Sequence, residues 1–260
     1  MKKIIFLLFI WGQVFPQIEV VGNQITADKL KGHITILASD SLEGREVGQP
    51  GEEMAAEYMS NYFNHIGIPP YKDSTYYQEI PLEKRVIESV NIKIGGDQYD
   101  FKDDFYTYPN FSPARIRSKD FVFLGYGIDS ESYSDYNTNV EGKVIMIFNG
   151  EPIDDQGNYL VSGGKEKCPQ SNWKFKLNTA KENGAKAVLF ITENYQSTYE
   201  RVEHKIEHPG VSLTQKEEPI PFFYISEKMA NDVLGKGKTK KFKKKIKSKK
   251  KSINKVINKS

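Results

Sequence analysis

The sequence contains few of the side chains on which covalent and metal chemistry depends. Its 260 residues include a single cysteine, Cys168, and four histidines. One cysteine cannot form a disulfide within the chain, and a catalytic thiol would need a histidine positioned beside it. The residues around Cys168 are typical of a loop that enters a helix, so we expect no nucleophilic role for this thiol.

Long apolar runs are scarce as well. The start of the chain is basic at Lys2 and Lys3 and continues into a short apolar segment at residues 4–11. This pattern is typical of a secretory signal peptide, and the segment is too short to span a bilayer comfortably. We therefore expect residues 1–17 to be a signal peptide and the protein to be secreted or periplasmic. An uncleaved anchor is the alternative.

Acidic residues are missing from the end of the chain. Residues 235–260 contain 13 lysines and no aspartate or glutamate, so the remaining 24 basic and 34 acidic residues have a net charge of −10. Such a segment can make weak contact with an anionic surface. Because Phe242 is its one aromatic residue and it contains no arginine, we expect no specific binding to nucleic acid. The alternative is a solvated helical or disordered end.

The clearest local pattern lies at residues 42–67. Pro50 suits the first turn of a helix, and the two glutamates that follow it suit the positive end of the helix dipole. Apolar residues then recur at three- and four-residue spacing up to the terminating Gly67. This pattern predicts a helix at residues 50–66, entered through an irregular loop that contains Gly44 and Gly48.

Weaker signals extend along the chain. Thr26 or Asp28 is predicted to cap a first helix that continues through Leu37, and Ser226 a late, short one. Another helix is predicted at residues 171–183. Strand patterns, several of them the continuous apolar runs of buried strands, occur at residues 76–81, 89–94, 120–128, 142–150, 187–191 and 220–225. Together they predict an α+β or α/β fold, with N-terminal helices and short strands followed by a compact α/β domain.

Two parts of this chain resemble known families. Residues 42–58 resemble the signature near the start of secreted zinc aminopeptidases of metallopeptidase family 28. Three further motifs are similar to the protease-associated (PA) domain. They are Phe123-Leu124-Gly125-Tyr126-Gly127, Gly142-Lys143-Val144 and the Lys-x₃-Ala-x₃-Gly-Ala-x-Ala-Val arrangement of residues 176–188. The resemblance implies four segments: the signal peptide at 1–17, the N-terminal segment of a peptidase-like domain at 18–118, a PA domain at 119–235 and a lysine-rich tail at 236–260.

The family resemblance also implies two zinc ions, held by histidine, aspartate and glutamate side chains that begin with a His-x-Asp element after the PA domain. A zinc-bound water would attack the peptide carbonyl. The histidines of this chain are His33, His65, His204 and His208, and none has aspartate two residues later. The acidic pairs Glu52-Glu53 and Glu217-Glu218 do not lie between suitable ligands. We therefore assign no catalytic, cofactor-binding or metal-binding residue, and expect no cofactor in this chain.

One local match to a metalloprotease motif needs a separate interpretation. Residues 204–208 have the sequence His-x-x-Glu-His, the inverted zinc-protease pattern. Pro209 and Gly210 follow at once and break a helix there. These features favour a polar loop, with adventitious zinc or nickel binding by the two histidines as a second possibility.

Three functional hypotheses follow. In the first, the chain is the N-terminal, PA-domain-containing part of a secreted zinc aminopeptidase and is inactive alone. Its tail would then be a connector to a missing part, for which a slip in an adenine-rich coding run is one origin. In the second, it is a stand-alone secreted PA-domain module that binds peptides or a protein. In the third, it is a cationic protein that binds anionic surfaces through its tail.

Overall fold

The computed structural model describes residues 25–71, 75–214 and 217–258. The chain divides into two compact units, unit 1 (Met1–Ile80) and unit 2 (Pro81–Ser260). The expected signal peptide lies outside the described residues. Within the described part of the chain, no helix is long and apolar enough to cross a membrane.

The described residues of unit 1 include two α-helices, connected by a segment that contains a 3₁₀ turn. Helix α1 (Ala27–Leu37) begins after Thr26, whose hydroxyl accepts a hydrogen bond from the Lys29 amide at 3.3 Å. A 3₁₀ segment (Asp40–Arg45) and helix α2 (Pro50–His65) follow. Both predicted helices and the irregular entry loop are therefore confirmed.

The turn before α2 is packed closely against the helix. A Cβ atom at Gly51 would lie 1.9 Å from the carbonyl oxygen of Leu42, whose side chain is buried. The Gly48 amide donates to the Glu52 carboxylate at 2.5 Å, which ties the loop to the first turn of α2. Glycine at position 51 is thus required by backbone packing rather than by backbone conformation.

Unit 2 is built on a six-stranded mixed sheet. In chain order its strands are β4 (Phe105–Tyr106), β5 (Asp120–Leu124), β6 (Val144–Phe148), β7 (Ala187–Thr192), β9 (Phe222–Ser226) and β10 (Asn254–Asn258). Their order in the sheet is β10-β5-β6-β7-β9-β4. The four central strands are parallel, and the edge strands β10 and β4 are antiparallel to their neighbours. This mixed sheet with its helices confirms the predicted α+β or α/β class.

Two small antiparallel pairs complete the strands of unit 2. Strand β1 (Leu82–Glu83) pairs with β8 (Ser212–Leu213), and β2 (Ile92–Ile94) forms a hairpin with β3 (Asp97–Tyr99). The predicted strand at residues 76–81 is wrong, because residues 76–80 pair with no described strand. Tyr77 and Ile80 are about half exposed, so they do not pack against a sheet as strand residues would.

Helices cover both faces of the large sheet. On one face lie α3 (Trp173–Glu182), α4 (Tyr195–Glu200) and α5 (Glu203–Glu207); on the other lie α6 (Glu227–Leu234) and α7 (Lys238–Lys249). Successive residues of β5 alternate between the two layers, with Phe123 packed on the α6 and α7 side and Val122 on the α3 side. Helix α6 begins at Ser226, which caps it as predicted.

The lysine-rich tail is part of this fold. The ring of Phe242, in α7, stacks on that of Phe123 at 4.9 Å between centroids, and Ile246 is fully buried. Strand β10 then pairs along the whole of β5. The interpretation of the tail as a disordered end is therefore wrong, because its apolar residues complete one layer of the core.

The units do not follow the segment limits drawn from the family resemblance. Strands β1 to β4 precede residue 119 and α7 and β10 follow residue 235, yet all belong to unit 2. The limits at 118/119 and 235/236 remain predictions, because they concern which family each segment descends from, whereas the two units are defined by packing alone.

Candidate functional site

A cleft of about 450 Å³ lies at the carboxyl ends of the central parallel strands. Its walls come from Tyr126 after β5, residues 149–153 after β6, Glu193 after β7, and lysines of α7. Ligands of open α/β sheets bind at this edge, because the loops there converge. We therefore regard it as the candidate functional site of unit 2.

A buried lysine holds one wall of the cleft from beneath. Lys176, in α3, is fully buried, and its ammonium group donates to the carbonyl oxygens of Gly150 at 2.5 Å and Phe148 at 3.3 Å. The nitrogen lies 5.9 Å from the centre of the Tyr126 ring. Burial lowers the pKa of Lys176 to about 7. The end of β6 is thus fixed by a group that titrates near neutrality.

The loop after β6 is fixed by a buried carboxylate. Glu151 accepts hydrogen bonds from the backbone amides of Val161 and Ser162, each at 3.1 Å, and of Cys168 at 2.8 Å. This places Tyr159 and Lys167 of the same loop at the cleft. Burial raises the pKa of the Cys168 thiol, which disfavours the thiolate that a nucleophile needs.

A second buried carboxylate shapes the turn after β5. Asp135 accepts from the amides of Tyr126 and Ile128 at 3.0 and 3.1 Å and from the Tyr133 hydroxyl at 2.8 Å. Burial raises its pKa, although these hydrogen bonds act in the opposite direction. The position of Tyr126 in the cleft wall therefore depends on Asp135.

Helix α7 gives the cleft its charge. Lys243 forms ion pairs with Glu193 and with Glu227, the latter at 2.8 Å, and lies 4.9 Å from the centre of the Phe148 ring. Lys247 pairs with Asp155 at 2.5 Å. The lining thus combines ammonium and carboxylate groups, an arrangement that suits the binding of a charged ligand by ion pairs and hydrogen bonds.

A more apolar groove of about 460 Å³ lies at the opposite ends of the same strands. It is flanked by residues 89–94, which end in β2, and by residues 111–118, which have little regular structure. Phe121, Val144 and Ala187 from the strand starts form its base. Apolar grooves are one of the surfaces that bind peptides in proteins.

The four histidines lie at three places, and only His204 and His208 are close together. The His33 ring nitrogen lies 2.6 Å from the Tyr58 hydroxyl, and His65 ends α2. His204 and His208 have ring centroids 4.9 Å apart at α5. Among the residues that the structure describes, no group of three or more histidine, cysteine, aspartate or glutamate side chains is placed to hold a metal ion.

The His-x-x-Glu-His segment forms a short helix, so its interpretation as a polar loop is wrong. Helix α5 ends at Glu207, with His208 as its C-cap before the predicted break at Pro209. The Glu207 carboxylate pairs with the Lys102 ammonium at 2.5 Å, which lowers the pKa of Glu207. A carboxylate held in this way is a weak general base, because its proton affinity is reduced.

The acidic pairs also have structural roles. Glu52 binds the Gly48 amide, and Glu218 accepts from Arg85 at 2.6 Å and from the Ser112 amide at 2.9 Å. Sequence reasoning did not find Lys176 as a site residue. It lies in the predicted helix and in the PA-like motif, but only the packing of α3 on β6 shows that its charge is buried.

Comparisons with known proteins give only distant likenesses. No family model matches the chain, and no curated protein matches it. Among solved structures, it is similar to the aminopeptidase from Aneurinibacillus sp. strain AM-1, with 15% sequence identity and a TM-score of 0.39. The match covers 90% of this chain and 44% of that one, so this chain spans less than half the length of that structure.

Proposed function

We propose that this chain is the N-terminal, PA-domain-containing part of a secreted zinc-dependent aminopeptidase, and that it does not hydrolyse peptides by itself. The proposal is carried by one observation. Two motifs that resemble the family, in the family's order, occupy positions at which the fold requires their small residues. In the first motif, Gly51 leaves room for the carbonyl of Leu42.

The small residues of the second motif also lie at closely packed positions. Ala180 and Ala185 of this motif are buried in the layer that α3 forms on the sheet. Between them, Gly184 has a φ of +77°, and a Cβ atom there would come within 3.1 Å of the Glu141 side chain. Small residues at these positions let the end of α3 approach the sheet closely.

The surface of unit 1 also supports the proposal. Helix α1 has no buried residue, and Leu30 and Ile34 are 51% and 65% exposed. A helix with exposed apolar residues becomes more stable when those residues are buried against another element. In the proposal, that element belongs to the part of the peptidase domain that carries the zinc ligands.

An activity assay tests the proposal directly. Purified chain is incubated with an amino-acid 4-nitroanilide and zinc ions, with and without a chelator. We expect no chelator-sensitive release of nitroaniline, because the two-zinc ligand set implied by the family is not found in the sequence. Chelator-sensitive turnover by this chain would overturn the proposal, and so would a gene without a His-x-Asp element in any frame after codon 260.

Export is part of the same proposal. The basic start and apolar residues 4–11 support it. N-terminal sequencing of the protein recovered outside the producing cell should begin after cleavage near residue 17. Recovery of the full-length chain from the cytoplasm alone would contradict export.

The second candidate is a stand-alone module that binds peptides or a protein. It is favoured by the packing of unit 2, whose sheet has a buried layer on each face. The two proposals differ in the behaviour of unit 1. Early protease cleavage before Pro81 with a resistant unit 2 supports the first, and one cooperative unfolding transition for the whole chain supports the second.

A further inference from the structure

The lysines of α7 are held on a fixed surface. The helix has eight lysines and no acidic residue. Thr239, Phe242 and Ile246 are its buried residues, and they recur at three- and four-residue spacing on the side that faces the sheet. Because this side is packed into the core, the lysines must occupy the flanks and the outer side of α7.

The flanks and the outer side differ in their partners. Lys243 and Lys247 are partly buried and form ion pairs with Glu193, Glu227 and Asp155. Four of the five exposed lysines of α7 lie on the outer side, two to a turn, and we call these four the lysine face. The lysine face is Lys240, Lys241, Lys244 and Lys245.

The adjacent sheet edge extends this basic surface. Lys255, in β10, is the register partner of Phe123, whose ring stacks on Phe242 of α7. Opposed residues of an antiparallel pair point to the same side of a sheet, so Lys255 is on the side that α7 covers, and it is exposed. The basic surface is therefore two-dimensional rather than a single row of charges.

We propose that the lysine face docks on an anionic lipid bilayer surface through charge alone. Lysine clusters of this size are attracted to anionic headgroups. The apolar residues of α7 are committed to the core of unit 2, so the helix stays at the headgroup level and does not insert. The residues outside 235–260 have a net charge of −10, which orients the lysine face toward the bilayer.

Two features favour a bilayer over nucleic acid. The lysine face has no aromatic side chain on which a base could stack, and it has no arginine for two-point contacts with phosphates or bases. This docking does not depend on the proposed peptidase ancestry.

Vesicle co-sedimentation of the full chain tests the docking. We expect binding to vesicles with about 30% phosphatidylserine in phosphatidylcholine, none to pure phosphatidylcholine, and loss of binding at high salt. Each lysine near such a surface is worth about fivefold in affinity. Replacing Lys240, Lys241, Lys244 and Lys245 by glutamine should therefore weaken binding by about 100-fold or more. Glutamine keeps helix propensity, and circular dichroism checks that unit 2 stays folded.

The control removes the same charge elsewhere. Glutamine at four other exposed lysines, Lys31, Lys84, Lys93 and Lys119, should leave vesicle binding within a few fold of the unchanged protein. Equal losses in the two variants would overturn the proposal, because net charge and not the lysine face would then govern binding. Absence of vesicle binding would also overturn it, and so would tighter binding to a double-stranded DNA oligonucleotide at the same salt concentration.

Discussion

The carbonyl oxygen of Leu42 lies 1.9 Å from the place that a Cβ atom would occupy at Gly51. This contact joins the 3₁₀ segment to the second residue of α2. Glycine at this position of the signature is therefore a steric requirement, since any side chain at position 51 would push the backbone of α2 away from the backbone at Leu42.

Replacing Gly51 by alanine should therefore destabilise unit 1. We expect a loss of about 1–3 kcal/mol in the free energy of unfolding, the range for overpacked sites. Hydrogen exchange of the α2 amides measures it. The matched control is Gly32→Ala in α1, where nothing lies within 4 Å of the new Cβ, and it should leave stability unchanged or raise it by up to about 1 kcal/mol. Equal effects of the two substitutions would contradict the packing argument.

Lys176 should make the stability of unit 2 depend on pH above neutrality. Its pKa is about 7 in the folded protein, against 10.5 for an ordinary lysine. Between these values the unfolded chain binds more protons, so the free energy of unfolding should rise with pH, at most by about 1.4 kcal/mol per unit. Urea unfolding between about pH 7 and 8.5 measures the slope. At higher pH the ionisation of buried Cys168 and of buried tyrosines lowers the free energy of unfolding and would mask the effect of Lys176.

Lys176→Met should remove that slope. Lys174→Met, an exposed position on the same helix, should keep it and is the control. A slope that survives in Lys176→Met would show that another group titrates in this range.

The tail should contribute to the stability of unit 2. Phe242→Ala removes a ring that stacks on Phe123 and should cost about 3–5 kcal/mol, as for other buried phenylalanines. Lys245→Ala, one turn of α7 away and exposed, should change the free energy of unfolding by less than about 0.5 kcal/mol. Chemical denaturation followed by Trp173 fluorescence distinguishes them. A stable, fully folded chain truncated after Leu234 would contradict this role.

The His204 and His208 pair should bind nickel or copper ions weakly. Two imidazoles four residues apart on α5, with ring centroids 4.9 Å apart, can chelate one ion when both are neutral. Isothermal titration with Ni²⁺ should therefore show weak binding at neutral pH. His204→Ala should abolish most of it and His65→Ala should not. Similar losses in both variants would place the ion elsewhere.

Local signals predicted most of the regular structure. Helix α2 follows from Pro50, a periodic apolar face and Gly67, and Ser226 marks the start of α6. The buried parallel strands follow from continuous apolar runs such as residues 144–148. Residues 76–81 show the limit of this reasoning, because residues that favour strands form one only when a partner strand is available.

The candidate site was harder to predict, because it depends on contacts between distant segments. The cleft assembles residues that follow three different strands with lysines from a helix some 50 residues further along the chain than Glu193. No local pattern indicates that Lys176 would point beneath the Gly150 carbonyl or that Glu151 would bind amides ten to seventeen residues away.

The sequence by itself determined the scarcity of histidine and cysteine, the family-like motifs, the separation of acidic and basic segments and most helices and strands. These depend on composition and on interactions between near neighbours. Only the tertiary structure decided that the apolar residues of the lysine-rich tail belong to the core, that its lysines form an ordered outer face, and that Lys176 is buried away from solvent. Burial is a property of the whole fold, and it alone determines whether a lysine is a solvated charge, an ion-pair partner or a titrating group.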